Sequence, residues 1–201
     1  MKRFIIIVIS CFLIADSFSQ KFHGGIQVGL PMSQVSGDQL GGFDKAGIFG
    51  GGFVSLHFFQ KSSVQLEINY IQKGSRKNPN PDNGDYSKYL LRLHYIEVPL
   101  LYKYDLHKLI SLEIGAAVAF LAKSTEEDEN GVSLEPRAFN KYEISLIGGG
   151  YVNFLKKLRL NVRYENTFPF LPIRDHYSEA TYRLNKGQYN SLIVFALQYE
   201  F

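Results

Sequence analysis

The sequence predicts an all-β protein: an eight-stranded antiparallel up-and-down transmembrane β-barrel preceded by a signal peptide. Three observations carry the prediction. A short charged-then-apolar leader opens the chain, period-two alternation recurs in segments of about ten residues, and short connections alternate strictly with long ones.

The leader is Lys2 and Arg3 followed by the apolar run Phe4 to Ala15 and then Ser17-Phe18-Ser19, small residues at the two positions read before cleavage. A run of about twelve residues is too short for the ~20 that a spanning helix needs. Residues 1–19 are therefore expected to be a signal peptide and residues 20–201 the barrel domain. Cys11 is the only cysteine and lies inside the apolar run with Phe12-Leu13-Ile14 still to come, the wrong place for a lipid-attachment cysteine. The processed chain would carry no thiol, which excludes disulfides and cysteine chemistry.

Beyond the leader no apolar segment is long enough to span as a helix. The clearest alternation sets Val64, Leu66, Ile68 and Tyr70 against Gln65, Glu67 and Asn69. Leu158, Leu160, Val162 and Tyr164 stand in the same way against Arg159, Asn161, Arg163 and Glu165. Segments 22–32, 46–58, 92–104, 110–122 and 141–154 complete the set with the last strand, Tyr189 to Phe201. Mean hydropathy is −0.10 and cannot betray such a barrel, because outward apolar and inward polar residues cancel.

The connections sort into two kinds. Phe59 to Ser62, Asp105 to Leu109 and Leu155 to Lys157 are short, whereas those around 33–45, 74–91, 123–140 and 169–188 are long and rich in Gly, Asn, Asp, Pro, Ser and charge. Outer-membrane barrels keep short turns in the periplasm and long loops outside, so both termini are expected to be periplasmic. The rival is a soluble, secreted, lipocalin-like barrel holding a small apolar ligand, with its greasy faces inward and its charges wet.

With the greasy faces toward lipid, a turn centred near Lys61 would oppose Phe58 to Val64, Leu56 to Leu66, Val54 to Ile68 and Gly52 to Tyr70. A turn about Lys156 opposes Val152 to Leu160, Gly150 to Val162 and Gly148 to Tyr164, leaving Gly149 opposite Arg163 on the inner face, where it makes room for the guanidinium. The inward positions then collect Glu67, Glu97, Glu113, Glu143, Glu165 and Glu200 beside Lys103, Lys141, Arg159 and Arg163. In an eight-stranded barrel the lumen is just wide enough for side chains to fill, so these form an interior charge network, not a water channel. Glu113 is expected near Lys103, and Arg163 near Glu143, Glu165 or Glu200. Pro99, lacking an N–H, predicts a bulge or an unpaired ladder position.

Aromatic residues at strand ends, among them Phe58, Phe59, Tyr70, Tyr102, Tyr104, Phe154, Tyr164, Phe168, Tyr199 and Phe201, suit interfacial girdles. In the last strand Ile193, Phe195, Leu197, Tyr199 and Phe201 form one apolar stripe, read as the signal by which barrel assembly machinery receives the strand. Lipid is the second expected partner.

No phosphate-binding loop, nucleophile elbow or metal-ligand spacing is present, and the five histidines, His23, His57, His94, His107 and His176, are scattered. No cofactor or metal is expected, and the protein is read as not an enzyme. The one catalytic alternative, an outer-membrane enzyme, would use His176 with Asp175 and Ser178. The acidic run Glu126-Glu127-Asp128-Glu129 before Asn130-Gly131 lacks the spaced ligands of a calcium loop and reads as a solvated external loop. A net charge of +3 gives no reason to expect a nucleic-acid partner.

Three segments carry a family resemblance: Gly24-Gly25-Ile26-Gln27-Val28-Gly29, Glu67 to Gly74 with its Tyr70-Ile71-Gln72-Lys73-Gly74, and Tyr95 to Tyr104 with its Tyr95-Ile96-Glu97-Val98-Pro99-Leu100-Leu101. Together they resemble the PorT-type outer-membrane β-barrel proteins of the Bacteroidetes. The resemblance implies an outer-membrane barrel acting as a structural or interaction component of the cell envelope. It also implies a link to protein secretion and another envelope or secretion protein as partner.

Overall fold

The computed structural model describes residues 21–38, 40–132, 138–175 and 187–201; the expected signal peptide lies outside them. Eight long strands run in chain order: β1 Lys21–Ser36, β2 Phe49–Phe59, β3 Ser62–Lys77, β4 Tyr89–His107, β5 Ile110–Asp128, β6 Tyr142–Asn153, β7 Leu158–Thr167 and β8 Gly187–Glu200. Each pairs antiparallel with its neighbour in sequence, and β8 returns to pair with β1 from Gly25↔Glu200 to Ser36↔Tyr189. The sheet is therefore a closed barrel without a free edge, the arrangement that hydrocarbon demands of strands.

Alternation decides which face is which. On β5, Ile114 is 66% exposed and its neighbour Glu113 only 4%. The outward stripe of β5 runs from Ile110 through Leu112, Ile114 and Val118 to Phe120, the length of about ten residues that a tilted strand needs to cross a bilayer. Equivalent stripes are Ile96, Val98, Leu100, Tyr102 and Tyr104 on β4, and Phe195, Leu197 and Tyr199 on β8. Apolar side chains cover the wall and charges fill the centre, the reverse of a soluble ligand-carrying barrel. No described helix is long and apolar enough to cross a membrane.

The β6–β7 hairpin has the register expected from sequence, including Gly149 opposite Arg163. A Cβ on Gly149 would lie 2.7 Å from the Val162 carbonyl oxygen and 2.8 Å from Arg163 Cα, so glycine is needed for the strands to approach. The β2–β3 hairpin differs by two residues, pairing Leu56 with Val64, Val54 with Leu66, Gly52 with Ile68 and Gly50 with Tyr70. An irregularity between His57 and Phe59 tightens the turn, and Phe59 opposes Ser62. A shift of two keeps every side chain on its expected face.

Pro99 leaves a gap in the β3–β4 ladder between Leu66↔Leu100 and Asn69↔Glu97, with no register change across it. Of the two outcomes expected of this proline, the unpaired position is the one found, and Glu97 and Lys103 keep their inward aim.

The strands are longer than alternation suggested, so residues 33–36, 74–77, 89–91 and 123–128, expected in loops, belong to strands. Above Phe120 the outward face of β4 and β5 turns polar, with Arg92 Nη1 2.6 Å from Glu127 Oε1. The barrel thus rises past its apolar belt at the long-loop end. A turn of 3₁₀ helix at Pro81–Asn83 sits in the loop after β3. Beside it Lys77 and Ser87 bind Asp85 and hold its carboxyl well below the usual carboxylate range.

Candidate functional site: the filled interior and its two ends

The middle of the barrel is organised on Arg163, which β7 points inward between β3 and β5. Its Nη1 donates to Glu67 Oε2 at 2.9 Å and its Nη2 to Glu67 Oε1 at 3.1 Å, while Nε lies 3.1 Å from Glu113 Oε1. These three side chains are at most 1% exposed. A buried ion pair is tolerated only where the remaining donors and acceptors are met, and here they are. Glu67 also accepts from Gln27 at 2.7 Å, Gln65 at 2.6 Å and Asn69 at 2.7 Å. Glu113 accepts from Tyr151 at 2.5 Å and Asn161 at 2.9 Å.

Every strand reaches this layer. Gln198 of β8 donates to Gln27 of β1 at 2.6 Å. Lys103 of β4 donates to Gln65 at 2.9 Å and lies 3.7 Å over the Tyr151 ring of β6. Phe49 of β2 packs against the guanidinium, 5.8 Å from ring centre to Cζ. Lys103 does stand directly opposite Glu113 in the ladder, but its ammonium bonds Gln65 and not that carboxylate.

A second layer lies toward the long loops. Lys73 Nζ is 2.8 Å from Glu97 Oε2 and 3.5 Å from Glu143 Oε2, and it makes a short contact with Glu165 Oε1. Thr167 and Asn190 donate to Glu143 at 2.6 and 3.0 Å. So Glu143 and Glu165 pair with Lys73, and the expectation that one of them, or Glu200, would pair with Arg163 is corrected. Lys73 was missing from the expected network although it shares the parity of Glu67 and Asn69. It stood just short of a presumed loop at residue 74.

Three more positions move. Lys141 is exposed and precedes β6, so it is not an interior residue. Arg159 and Glu200 are part-exposed at the short-turn rim, where Arg159 Nη2 approaches Glu200 Oε2 at 2.5 Å and His23 Nδ1 approaches Glu200 Oε1 at 3.0 Å. Apolar side chains, among them Val35, Leu91, Leu93, Ile173 and Leu192, pack above the Lys73 layer. At the long-loop rim Arg174 Nη1 lies 3.0 Å from Glu126 Oε2, so the acidic run is strand and rim and not a solvated loop.

Outside, Phe120 and Tyr142 pack edge to face at 5.7 Å near the long-loop end, and Phe58, Tyr102, Tyr199 and Phe201 ring the short-turn end. Two aromatic girdles bounding an apolar belt fit a bilayer. His176 and Ser178 lie outside the described residues; Asp175 forms a short ladder with Gly187. Among the described residues no group of His, Cys, Asp and Glu is placed to hold a metal.

A closed, outwardly apolar ring with buried, mutually paired charges defines a small transmembrane β-barrel. The chain belongs to the outer membrane protein beta-barrel domain family, whose pattern matches residues 15–169. It is an outer-membrane protein. No curated protein matches its sequence. Solved structures share the fold. The Yersinia pestis attachment invasion locus protein Ail, solved with the heparin analogue sucrose octasulfate, superposes at a TM-score of 0.51 with 13% identity, over 90% of this chain and 99% of that one. Neisserial surface protein A superposes at 0.53 with 10% identity, over 90% and 97%.

Proposed function

We propose that the protein is a non-enzymatic, closed barrel that acts as a structural or interaction component of the cell envelope, presenting its long-loop end to another envelope protein. The observation that carries this reading is the interior: among the described residues all eight strands send side chains into one hydrogen-bonded layer about Arg163, which supports a filled cross-section over an open lumen. What remains for contact is the wall and the ends. The polar extension of β4 and β5 beyond the apolar belt, with its Arg92–Glu127 pair, supports the long-loop end as the presented surface. The resemblance of Tyr95 to Tyr104 and Tyr70 to Gly74 to PorT-type barrels of the Bacteroidetes supports a link to protein secretion. Phe195, Leu197, Tyr199 and Phe201 are in this reading the stripe by which assembly machinery receives β8 before it closes on β1. The alternation of short and long connections supports periplasmic termini.

The test replaces residues 78–88 with a short Gly-Ser turn, leaving the strands intact, and compares proteins crosslinked to the two barrels in intact cells. Loss of a specific crosslinked protein, with the barrel still inserted, is the expected result. An unchanged crosslinking pattern after this replacement and an equivalent one in 129–140 would overturn the reading.

A further inference from the structure

The two ends of the barrel differ in charge. At the long-loop end acidic and basic groups interleave: Asp85 with Lys77, Glu127 with Arg92, Glu126 with Arg174. At the short-turn end each turn carries exposed cations: Lys61 in the first, Lys108 in the second, Lys156 and Lys157 in the third. The acids there, Asp105 and Glu200, are engaged, Asp105 by the Ser111 hydroxyl at 2.6 Å and Glu200 by Arg159 and His23. The exposed lysines outnumber the remaining carboxylate: Lys61, Lys108, Lys156 and Lys157 stand against the half-buried Asp105, whose charge a serine hydroxyl does not cancel.

The turns also form two adjoining clefts. One, of about 400 Å³, is lined by Lys61, Asp105, Leu106, His107, Lys108 and Asn153. The other, of about 390 Å³, is lined by Lys108, Asn153, Phe154, Leu155, Lys156 and Arg159. Beside the cations, Phe59, Leu106, Leu109, Phe154 and Leu155 are 49–72% exposed and continue the apolar belt. Cations set beside a greasy rim suit the depth at which a bilayer places its phosphates.

We propose that the short-turn end is a binding site for anionic phospholipid headgroups. A lipid phosphate sits in each cleft among Lys61, Lys108 and Lys156, with its acyl chains along Leu106, Phe154 and Leu155. Charge complementarity selects an acidic ligand, and continuity with the apolar belt selects a lipid over a soluble anion. Lys108, which lines both clefts, is shared between two headgroups.

The test reconstitutes the protein, purified from membranes, into phosphatidylcholine vesicles doped with spin-labelled phosphatidylglycerol or spin-labelled phosphatidylcholine. Electron paramagnetic resonance then reads the motionally restricted fraction of each. The expected result is a preference for phosphatidylglycerol, each engaged lysine raising it by up to about fivefold at low salt. It should fall in high salt and in the combined variant Lys61→Gln, Lys108→Gln, Lys156→Gln, while the long-loop variant Lys88→Gln, Lys123→Gln, Lys141→Gln keeps it. Circular dichroism confirms that both variants remain folded. Equal restriction of the two lipids would overturn the proposal, as would a preference retained in the short-turn variant or lost in the long-loop variant. Displacement of phosphatidylglycerol by inorganic phosphate, beyond the effect of chloride at matched ionic strength, would assign the clefts to a soluble anion instead.

Discussion

Arg163 and Glu67 stand 96 residues apart in the chain and meet across the barrel in a two-pronged ion pair, with Nη1 and Nη2 donating to Oε2 and Oε1 at 2.9 and 3.1 Å. The pair ties β7 to β3, strands that share no ladder. Replacing Arg163 with Met leaves Glu67 and Glu113 buried without their cation, and should cost about 3–5 kcal/mol. Denaturant unfolding of the vesicle-inserted barrel measures it. Adding Glu67→Gln to Arg163→Met should restore part of the loss, because the second substitution removes a charge that the first has stranded.

Two adjacent glycines give a sharper steric test. A Cβ on Gly149 meets Val162 and Arg163 at 2.7–2.8 Å, whereas one on Gly148, facing outward, meets nothing within 4 Å. Gly149→Ala should destabilise by roughly 1–3 kcal/mol through forced strand separation. Gly148→Ala should be neutral or stabilise by up to about 1 kcal/mol, since alanine loses less backbone freedom in a strand. Thermal unfolding of the two single variants checks the contrast.

Lys73 faces Glu97, Glu143 and Glu165 with one positive charge against three carboxyl groups. Removing the cation and removing a carboxylate should therefore act in opposite directions. Lys73→Met is expected to prevent stable folding or lower the midpoint of unfolding steeply, whereas Glu97→Gln should leave it unchanged or raise it. A Glu97→Gln barrel as unstable as Lys73→Met would show that every carboxylate is needed as an anion.

Orientation is tested on whole cells. Lys88 and Lys123 are exposed toward the long-loop end, and Lys61 and Lys156 toward the short turns. An impermeant amine-reactive biotin reagent added to intact cells should modify Lys88 and Lys123 and spare the other pair until the outer membrane is breached. Labelling in the opposite order would reverse the topology.

The sequence specified faces better than heights. Parity alone put Glu67, Glu97, Glu113, Glu143, Arg163 and Glu165 inside, because a strand's side chains alternate whatever its register. Which of them meet depends on strand stagger around the ring, and that is set by turns such as the irregular one at His57 to Phe59. So alternation is equally compatible with Arg163 near Glu143, Glu165 or Glu200, whereas it lies at the height of Glu67 and Glu113. Lys141 shares the parity of Glu143 but precedes the strand, where alternation no longer binds. Lys73 is legible from the parity of Glu67, which continues past Tyr70 to this buried position. The cationic clefts are not, because they join turns that are distant in sequence.

The closed interior is the claim on which the rest depends, and conductance tests it most directly. Purified barrel inserted in a planar bilayer should give no steady single-channel current at neutral pH, since the Arg163 and Lys73 layers fill the cross-section. Large, steady currents from the same preparation would show an open lumen and contradict the account.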